Sequence, residues 1–177
     1  GGGAIPNQGP HEVAGIAANE INDQLGSSPP APQRLCHEHG ARADDGCYDL
    51  WVKHASWHMH PEYTVAGTSA SSPHGRDLAL KWIDSKQELI ASAGWATLRG
   101  VVATQPDAEL DLDELKQLLK RVEKTIHDQP NYVRYTMNGF VIAVGCYVPK
   151  LTDLAMKTGE KIGTVHVDMG ETACQVP

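Results

Sequence analysis

The chain has 177 residues, of which 41% are hydrophobic, and its formal net charge at pH 7 is −7. This length and hydrophobic content are enough for one domain with its own core, which needs neither disulfides nor a structural metal. A global positive field is excluded, so any contact with nucleic acid depends on a local basic patch. No apolar run reaches the roughly 18 residues of a membrane-spanning helix, and the four cysteines are scattered. We therefore expect a reduced, cytoplasmic protein with no membrane partner.

The first 72 residues lack a clear helical pattern. They carry three Lys/Arg against eight acidic residues, whereas residues 73–177 carry twelve against fourteen. Residues 1–35 are rich in Gly, Pro and Ser, which predicts a flexible arm. Residues 36–72 form a His- and Cys-rich segment without clean periodicity, within which the small polar residues from Thr64 to Pro73 predict a loop.

From Pro73 onward the apolar residues recur at helical spacing between Pro and Gly breaks. Asp111, with Glu114 three residues later, is typical of a capping box. Since no strand pattern intervenes, the sequence predicts an all-α fold of stacked antiparallel helices. The five predicted helices run over about Arg76–Asp84, Lys86–Ala103, Leu112–Ile126, Asn131–Tyr147 and Thr152–Ile162.

Two residues near the last helices have predicted structural roles. Thr152 is expected to cap the fifth helix at its N-terminus, and Gly163 to follow its last turn. Cys146 lies in the most apolar helix and is expected to be a small core residue. The final residues, 164–177, alternate in part and predict an extended tail packed on the last helices.

Several segments together resemble the DNA alkylation repair family. They are Trp82, Ala93–Trp95, the Leu112–Ile126 helix, Met137–Tyr147 (MNGFVIAVGCY) and Lys161–Pro177 (KIGTVHVDMGETACQVP). The resemblance covers about residues 73–177 well, residues 49–63 faintly and the first 48 residues not at all. It implies a HEAT-like α–α superhelix over residues 73–177, with a concave basic groove.

The resemblance also implies a site for excising alkylated purines, which in active members needs three kinds of side chain. An aromatic face holds the cationic base, a carboxylate stabilises the oxocarbenium charge, and an arginine binds a backbone phosphate. Trp57 falls on the aromatic position. The carboxylate position falls on Pro61, or on His60 if the alignment slips by one, and neither supplies a fixed negative charge. Glu62 is the nearest acid, and Arg99 is the nearest arginine to the third position. We therefore expect a degenerate glycosylase site.

Basic residues on one face of the third helix are candidates for binding DNA phosphates. An ordinary solvated face is the alternative, since acidic residues interrupt the positive charge. The candidates are Lys116, Lys120, Arg121 and Lys124, with Arg134 on the next helix. Trp57 likewise has an alternative role, because a Trp near Val52 and Met59 is more often part of a core.

No cofactor is required by these motifs, but the His- and Cys-rich segment offers a possible zinc site. Cys36, His39, Cys47 and His54 have the ligand atoms of a tetrahedral site, although their spacing matches no common zinc module. Three hypotheses follow. The first is a DNA alkylation repair relative that binds alkylated or distorted duplex DNA without catalysis, the second is a helical scaffold for a protein partner, and the third is a metal-stabilised N-terminal module.

Overall fold

The computed structural model describes residues 45–55, 57–171 and 176, all within one compact unit, Ala31–Pro177. The predicted arm, residues 1–35, lies outside the described residues. Seven α-helices occur in the described part of the chain, with a π-helical segment, His60–Val65, before the second. They are α1 (Asp45–His54), α2 (Ala66–Ala70), α3 (Gly75–Trp82), α4 (Glu88–Thr104), α5 (Leu112–Thr125), α6 (Asn131–Tyr147) and α7 (Thr152–Ile162).

The predicted all-α stack is confirmed, and the last five helices lie where the apolar periodicity placed them. Two 3-10 turns, Ile126–Asp128 and Pro149–Leu151, join them. Among the described residues no single helix is long and apolar enough to cross a membrane; α6 and α7 meet the length and composition test only as a pair bent by 112°.

Helix α4 is the centre of the stack. Every residue from Ile90 to Leu98 is buried, because α3, α2 and the π-helical segment pack on it from one direction and α6 from another. Gly94 permits the closest of these approaches, since a Cβ there would lie 2.7 Å from the backbone nitrogen of Ile83 and 3.0 Å from the carbonyl oxygen of Ala79. The small residue at this position lets α3 and α4 meet backbone to backbone.

Helix α1 joins the stack through a second, smaller apolar cluster. Its Trp51 and Val52 are buried with residues of α3, α4 and the π-helical segment. Asp49 fixes this arrangement, because its Oδ1 accepts a hydrogen bond from the Trp82 indole nitrogen at 2.6 Å and its other oxygen pairs with Lys81. The described residues before 73, namely 45–55 and 57–72, therefore pack on the same helices as the residues after 73.

The start of α5 confirms Asp111 as the N-cap. Its Oδ1 accepts hydrogen bonds from the backbone nitrogens of Asp113 at 3.0 Å and Glu114 at 3.1 Å. Glu114 does not complete a capping box. Instead, its two carboxylate oxygens accept hydrogen bonds from Nε and Nη2 of Arg76. This bidentate ion pair links α5 to α3.

Three expectations about local structure are wrong. Thr64–Pro73 is not a loop, because the π-helical segment continues directly into α2 as far as Ala70. Thr152 does not cap α7; it is the first helical residue and its hydroxyl donates to the carbonyl oxygen of Gly145 at 2.9 Å. Cys146 is exposed and lines a groove between α6 and α7.

The predicted C-terminal features of the stack are largely present. Gly163 follows α7 with a φ of 65°, which suits glycine at a helix end. Residues 163–170 form no regular secondary structure, with Val165 buried and Val167 packed against the main core. Asn131 fixes this tail to the start of α6, because its side chain donates to the Asp168 carbonyl oxygen at 2.8 Å and accepts from the Asp168 nitrogen at 2.7 Å.

Alanine at Gly94 should destabilise the fold although alanine favours helices. Overpacking against the α3 backbone costs about 1–3 kcal/mol, more than the gain of up to about 1 kcal/mol in helix propensity. The matched control is Gly159→Ala in α7, where nothing lies within 4 Å of the added Cβ, so this variant should gain about 0.5–1 kcal/mol. Urea unfolding of both variants measures the free energies; a stabilised Gly94→Ala would contradict the close approach of the two backbones.

Candidate nucleic-acid interface

Five aromatic side chains link the segment before α2 to the first half of α6. We call them the aromatic cluster: Trp57, His58, Tyr63, Tyr132 and Tyr135. The His58 ring stacks on the Tyr132 ring, with centroids 4.3 Å apart and planes 8° from parallel. One helical turn further along α6, the Tyr63 and Tyr135 hydroxyl oxygens lie 3.4 Å apart. Two contacts of different chemistry therefore hold these segments together.

Trp57 is exposed, so its expected core position is wrong. Its relative exposure is 54%. Its indole contacts the rings of His58 and His60 edge to face, with ring centroids 5.6 and 5.4 Å apart, respectively. Tyr63 is also exposed, at 46%. Large aromatic side chains left in solvent are typical of binding surfaces.

Arg99, near the end of α4, lies at the edge of this cluster. Its guanidinium carbon is 5.8 Å from the centre of the Tyr63 ring, a cation–π arrangement. Gly139 of α6 leaves room for the arginine, since a Cβ at that position would lie 3.2 Å from Nη1. A cavity of about 190 Å³ opens here, lined by Arg99, Tyr135, Asn138, Gly139 and Ile142.

Glu62 is buried beside these groups, on the inward side of the π-helical segment. Its relative exposure is 2%, and its Oε1 has no hydrogen-bond partner among the described residues. Burial raises the pKa of Glu62 to about 7, while the positive charge of Arg99 and a hydrogen bond with Tyr63 partly oppose the shift. The hydrogen bond with Tyr135 and burial in turn raise the pKa of Tyr63, so its hydroxyl stays neutral.

The three residues assigned to the glycosylase site are therefore only partly brought together. Glu62 interacts with the charge of Arg99, whereas Trp57 contacts His60 at the start of the π-helical segment. A carboxyl that is buried and holds its proton to about pH 7 differs from the exposed, ionised group that stabilises an oxocarbenium ion.

The residues proposed to bind phosphate have different surroundings. Lys116 pairs with Asp113 at 2.8 Å, and Lys120 and Lys124 are exposed on α5. Arg121 pairs with Asp84 at 2.8 Å, donates to the Ile83 carbonyl oxygen at 3.0 Å and lies 5.6 Å from the Trp95 ring. Arg121 thus has structural contacts between α3, α4 and α5.

Arg134 precedes Tyr135 on α6 and is half-buried. Its Nη2 donates to the Asn131 side chain at 3.5 Å, and its Nε has no partner among the described residues. Its contribution to DNA binding stays a prediction.

The zinc prediction also stays a prediction. Cys36 and His39 lie outside the described residues. Cys47 is buried and disulfide-bonded, so the expectation of reduced cysteines is wrong for this residue, and His54 is exposed at the end of α1. Within residues 45–55 and 57–171, no three His, Cys, Asp or Glu side chains are grouped as metal ligands.

Sequence reasoning missed Tyr63, Tyr132, Tyr135 and His58. The signal available for the tyrosines was their spacing, since Tyr132 and Tyr135 lie three residues apart and share one face of a helix. Their partners 72 and 74 residues earlier in the chain carried no comparable periodic signal.

The stacked helices define the class of the chain, that of HEAT-like helical-repeat proteins. A solved structure described as "A new family of proteins related to the HEAT-like repeat DNA glycosylases with affinity for branched DNA structures" matches it with a TM-score of 0.73. The two are 25% identical, and the match covers 88% of this chain and 72% of that chain. The predicted HEAT-like fold is therefore confirmed, as is a structural relation to this DNA-binding group.

Two bacterial proteins are similar in sequence. An uncharacterized protein of Listeria innocua is 37% identical over 99 residues, or 56% of this chain and 41% of that protein. An uncharacterized protein of Listeria monocytogenes is 38% identical over 99 residues, with the same shares. The chain thus spans about two-fifths of the length of the curated relatives it matches. No protein-family model matches the sequence.

Replacing Glu62 with Gln should stabilise the protein above neutral pH. Because the folded-state pKa of about 7 exceeds the ordinary value of 4.5, the native protein holds a proton that the unfolded chain releases. The stability that Glu62 contributes is complete below about pH 4.5 and is lost as the pH rises through about 7. At pH 8 we expect Glu62→Gln to raise the free energy of unfolding by roughly 1–2 kcal/mol, with little change at pH 4.

The control for this measurement is Glu109→Gln, since Glu109 is exposed on the loop before α5. Urea unfolding of the three proteins between pH 4 and pH 8 isolates the contribution of Glu62. Parallel pH profiles of wild type and Glu62→Gln would contradict the raised pKa, because they would mean that the Glu62 carboxyl binds as many protons in the folded as in the unfolded protein.

Proposed function

We propose that this chain is a DNA-binding helical-repeat protein that recognises distorted or branched DNA and does not release bases. The observation that carries the proposal is the contact of Arg99 with the exposed ring of Tyr63, beside a cavity at the α4–α6 junction that Arg99 itself lines. The affinity for branched DNA ascribed to the structurally similar protein supports it.

The charge distribution favours a contact that is local rather than an extended track along duplex DNA. With a net charge of −7 the protein repels phosphates at long range. At the cluster itself, a Glu62 that holds its proton to about pH 7 adds less negative charge than an ionised carboxylate. Arg99 can thus donate to one or two phosphate oxygens there, while its aromatic neighbours contact sugars or bases.

The burial of the acid supports the absence of catalysis. A glycosylase needs a fixed negative charge where the sugar develops positive charge, and water next to it. Position 61, where the resemblance places this charge, is a buried proline, and the Glu62 side chain next to it is buried. Trp57 keeps the aromatic side chain of the site, but the fixed carboxylate that a catalytic site would need does not accompany it.

Arg99→Ala should weaken binding to a branched DNA and lower the dependence of affinity on salt. Removing one phosphate interaction reduces the slope of log K against log salt by about 0.9. A matched control is Lys150→Ala, which removes an exposed charge in the turn between α6 and α7. Fluorescence anisotropy with a labelled four-way junction across a salt series measures both slopes; equal slopes in the two variants would remove Arg99 from the interface.

Base release provides the second test. We expect no free base from an oligonucleotide carrying N7-methylguanine. The incubation is long enough for an active glycosylase to release all of the methylated base. Release that Trp57→Ala abolishes would overturn the non-catalytic part of the proposal.

A protein-binding scaffold is the second candidate. An apolar groove of about 490 Å³ lies between α6 and α7, with Ile142, Cys146 and Met156 exposed in or beside it. Such grooves accept the apolar face of an amphipathic helix. Absence of binding to any DNA, even at low salt, would favour this function.

A further inference from the structure

We propose that the groove between α6 and α7 docks an amphipathic helix of a protein partner, and that one acidic side chain of this helix pairs with Arg99. The inference names the partner of the protein-binding function given above as the second candidate. It rests on the proposed DNA-binding function in one respect, because a partner bound to Arg99 excludes a DNA phosphate from the same guanidinium. The observation behind it is that two depressions share the lining residues Asn138 and Ile142.

The two depressions lie on either side of one ridge of α6. The smaller, of about 190 Å³, contains Arg99, and the larger, of about 490 Å³, extends to Met156 of α7. Asn138 and Ile142 are four residues apart, so they share one face of the helix and form the ridge between the depressions. Helices pack by placing the side-chain ridge of one into the groove of the other. A partner helix laid across α6 can therefore place a side chain in each depression.

The larger depression is apolar and open to solvent. Ile142 is 40% exposed and Met156 is 61% exposed. Its floor includes small residues, Gly145, Ala155 and Gly159, and a Cβ at Gly159 would meet nothing within 4 Å. Exposed apolar side chains grouped around an open groove mark a surface that another molecule covers.

The lining discriminates between three kinds of occupant. Nucleic acid needs several cations, since its interfaces are strongly positive, whereas Arg99 is the one charged residue among the described residues that line the two depressions. Small molecules bind in cavities that bury most of their surface, whereas Ile142 and Met156 remain accessible along this groove. A helix that buries one apolar face and keeps the other in water fits both observations.

Arg99 supplies the charge complementarity. The ion pairs formed among the described residues do not include its guanidinium. Its carbon Cζ lies 5.8 Å from the centre of the Tyr63 ring, and Glu62 interacts with its charge from a buried position. A guanidinium presents several N–H donors in a fork that matches a carboxylate. One acid on the partner satisfies this arrangement, whereas a strongly acidic partner is repelled by the net charge of −7.

The test uses the full chain to select from a displayed library of helices of about 18 residues, or about five turns, randomised on one face. We expect the enriched sequences to share apolar residues at helical spacing, with Asp or Glu at one end of this stripe. The most enriched peptide is then labelled with fluorescein, and its Kd is measured by anisotropy. Met156→Asp should weaken this binding roughly tenfold or more, because a charge replaces an apolar contact.

Matched variants separate the groove from the rest of the surface. Leu154→Asp changes a residue that is 39% exposed on the same helix and does not line the groove, so it should bind as wild type. Gly159→Leu places a side chain in the open space of the groove and should block the peptide. Thermal melting by circular dichroism shows that each variant is folded.

A double-mutant cycle tests the pairing with Arg99. Arg99→Gln, or replacement of the peptide's acid by its amide, should each weaken binding roughly tenfold. The two changes together should weaken it little more than either alone, because both remove the same interaction. Additive effects would overturn the pairing. We also expect a four-way junction to displace the peptide; a complex that holds both ligands would overturn their shared use of Arg99.

Failure of this inference is distinguishable from failure of the proposed function. If no sequence is enriched on the wild-type chain over Met156→Asp, the groove is not the docking site, whatever the DNA measurements give. A dimer in analytical ultracentrifugation that Met156→Asp abolishes would also overturn the inference, since a second copy would then occupy the groove. Peptide binding in a protein that binds no DNA would overturn the proposed function and support the docking site.

Discussion

Trp95 of α4 meets Phe140 of α6 with ring centroids 5.4 Å apart, and both side chains are buried at the centre of the main core. This packing sets the distance between the two longest helices. Helix α4 also packs closely against the backbone of α3 at Gly94. Close packing against α6 and α3 therefore fixes its position. The positions of Arg99 and Tyr135, one on each helix, are consequences of that packing rather than of any direct bond between them.

The same packing supports the helices that carry the candidate interface. Helices α4 and α6 are held by aromatic and aliphatic packing along their lengths, and Glu88 caps α6 from α4. The π-helical segment lies across them and places Glu62 inward and Tyr63 outward at adjacent positions. π-helical turns are frequent at functional sites because they change the direction of neighbouring side chains. Here the π-helical segment buries the side chain of Glu62 and exposes the ring of Tyr63, although the two residues are adjacent in the chain.

Local sequence signals were sufficient for the second half of the chain. The apolar stripe of α5, the Asp111 cap and the breaks at Pro130 and Gly163 each act within a few residues, so the helix bounds followed from them. Thr64–Pro73 was misjudged because its small polar residues favour turns in isolation, whereas packing against α4 makes Ala66–Ala70 helical. Tertiary packing overrides weak propensity in such cases.

The candidate site was harder to predict because its contacts are long-range. The resemblance identified Trp57 and pointed to Glu62 and Arg99, but it could not show that Trp57 is exposed and Glu62 buried. Those facts depend on the pairing of His58 with Tyr132 and of Tyr63 with Tyr135. Periodicity reports which face of a helix is apolar, and it carries no information about which distant segment covers a particular ring.

The buried carboxyl beside Arg99 also couples the protein to the proton concentration of its surroundings. A DNA phosphate brought next to Arg99 would share its positive charge and place negative charge near Glu62, and both effects raise the pKa of that carboxyl further. Since the pKa is already about 7, complex formation at neutral pH would draw a fraction of a proton from the buffer. The heat of binding would then depend on the ionisation enthalpy of the buffer, so the Glu62 proton would be a reactant in the binding equilibrium.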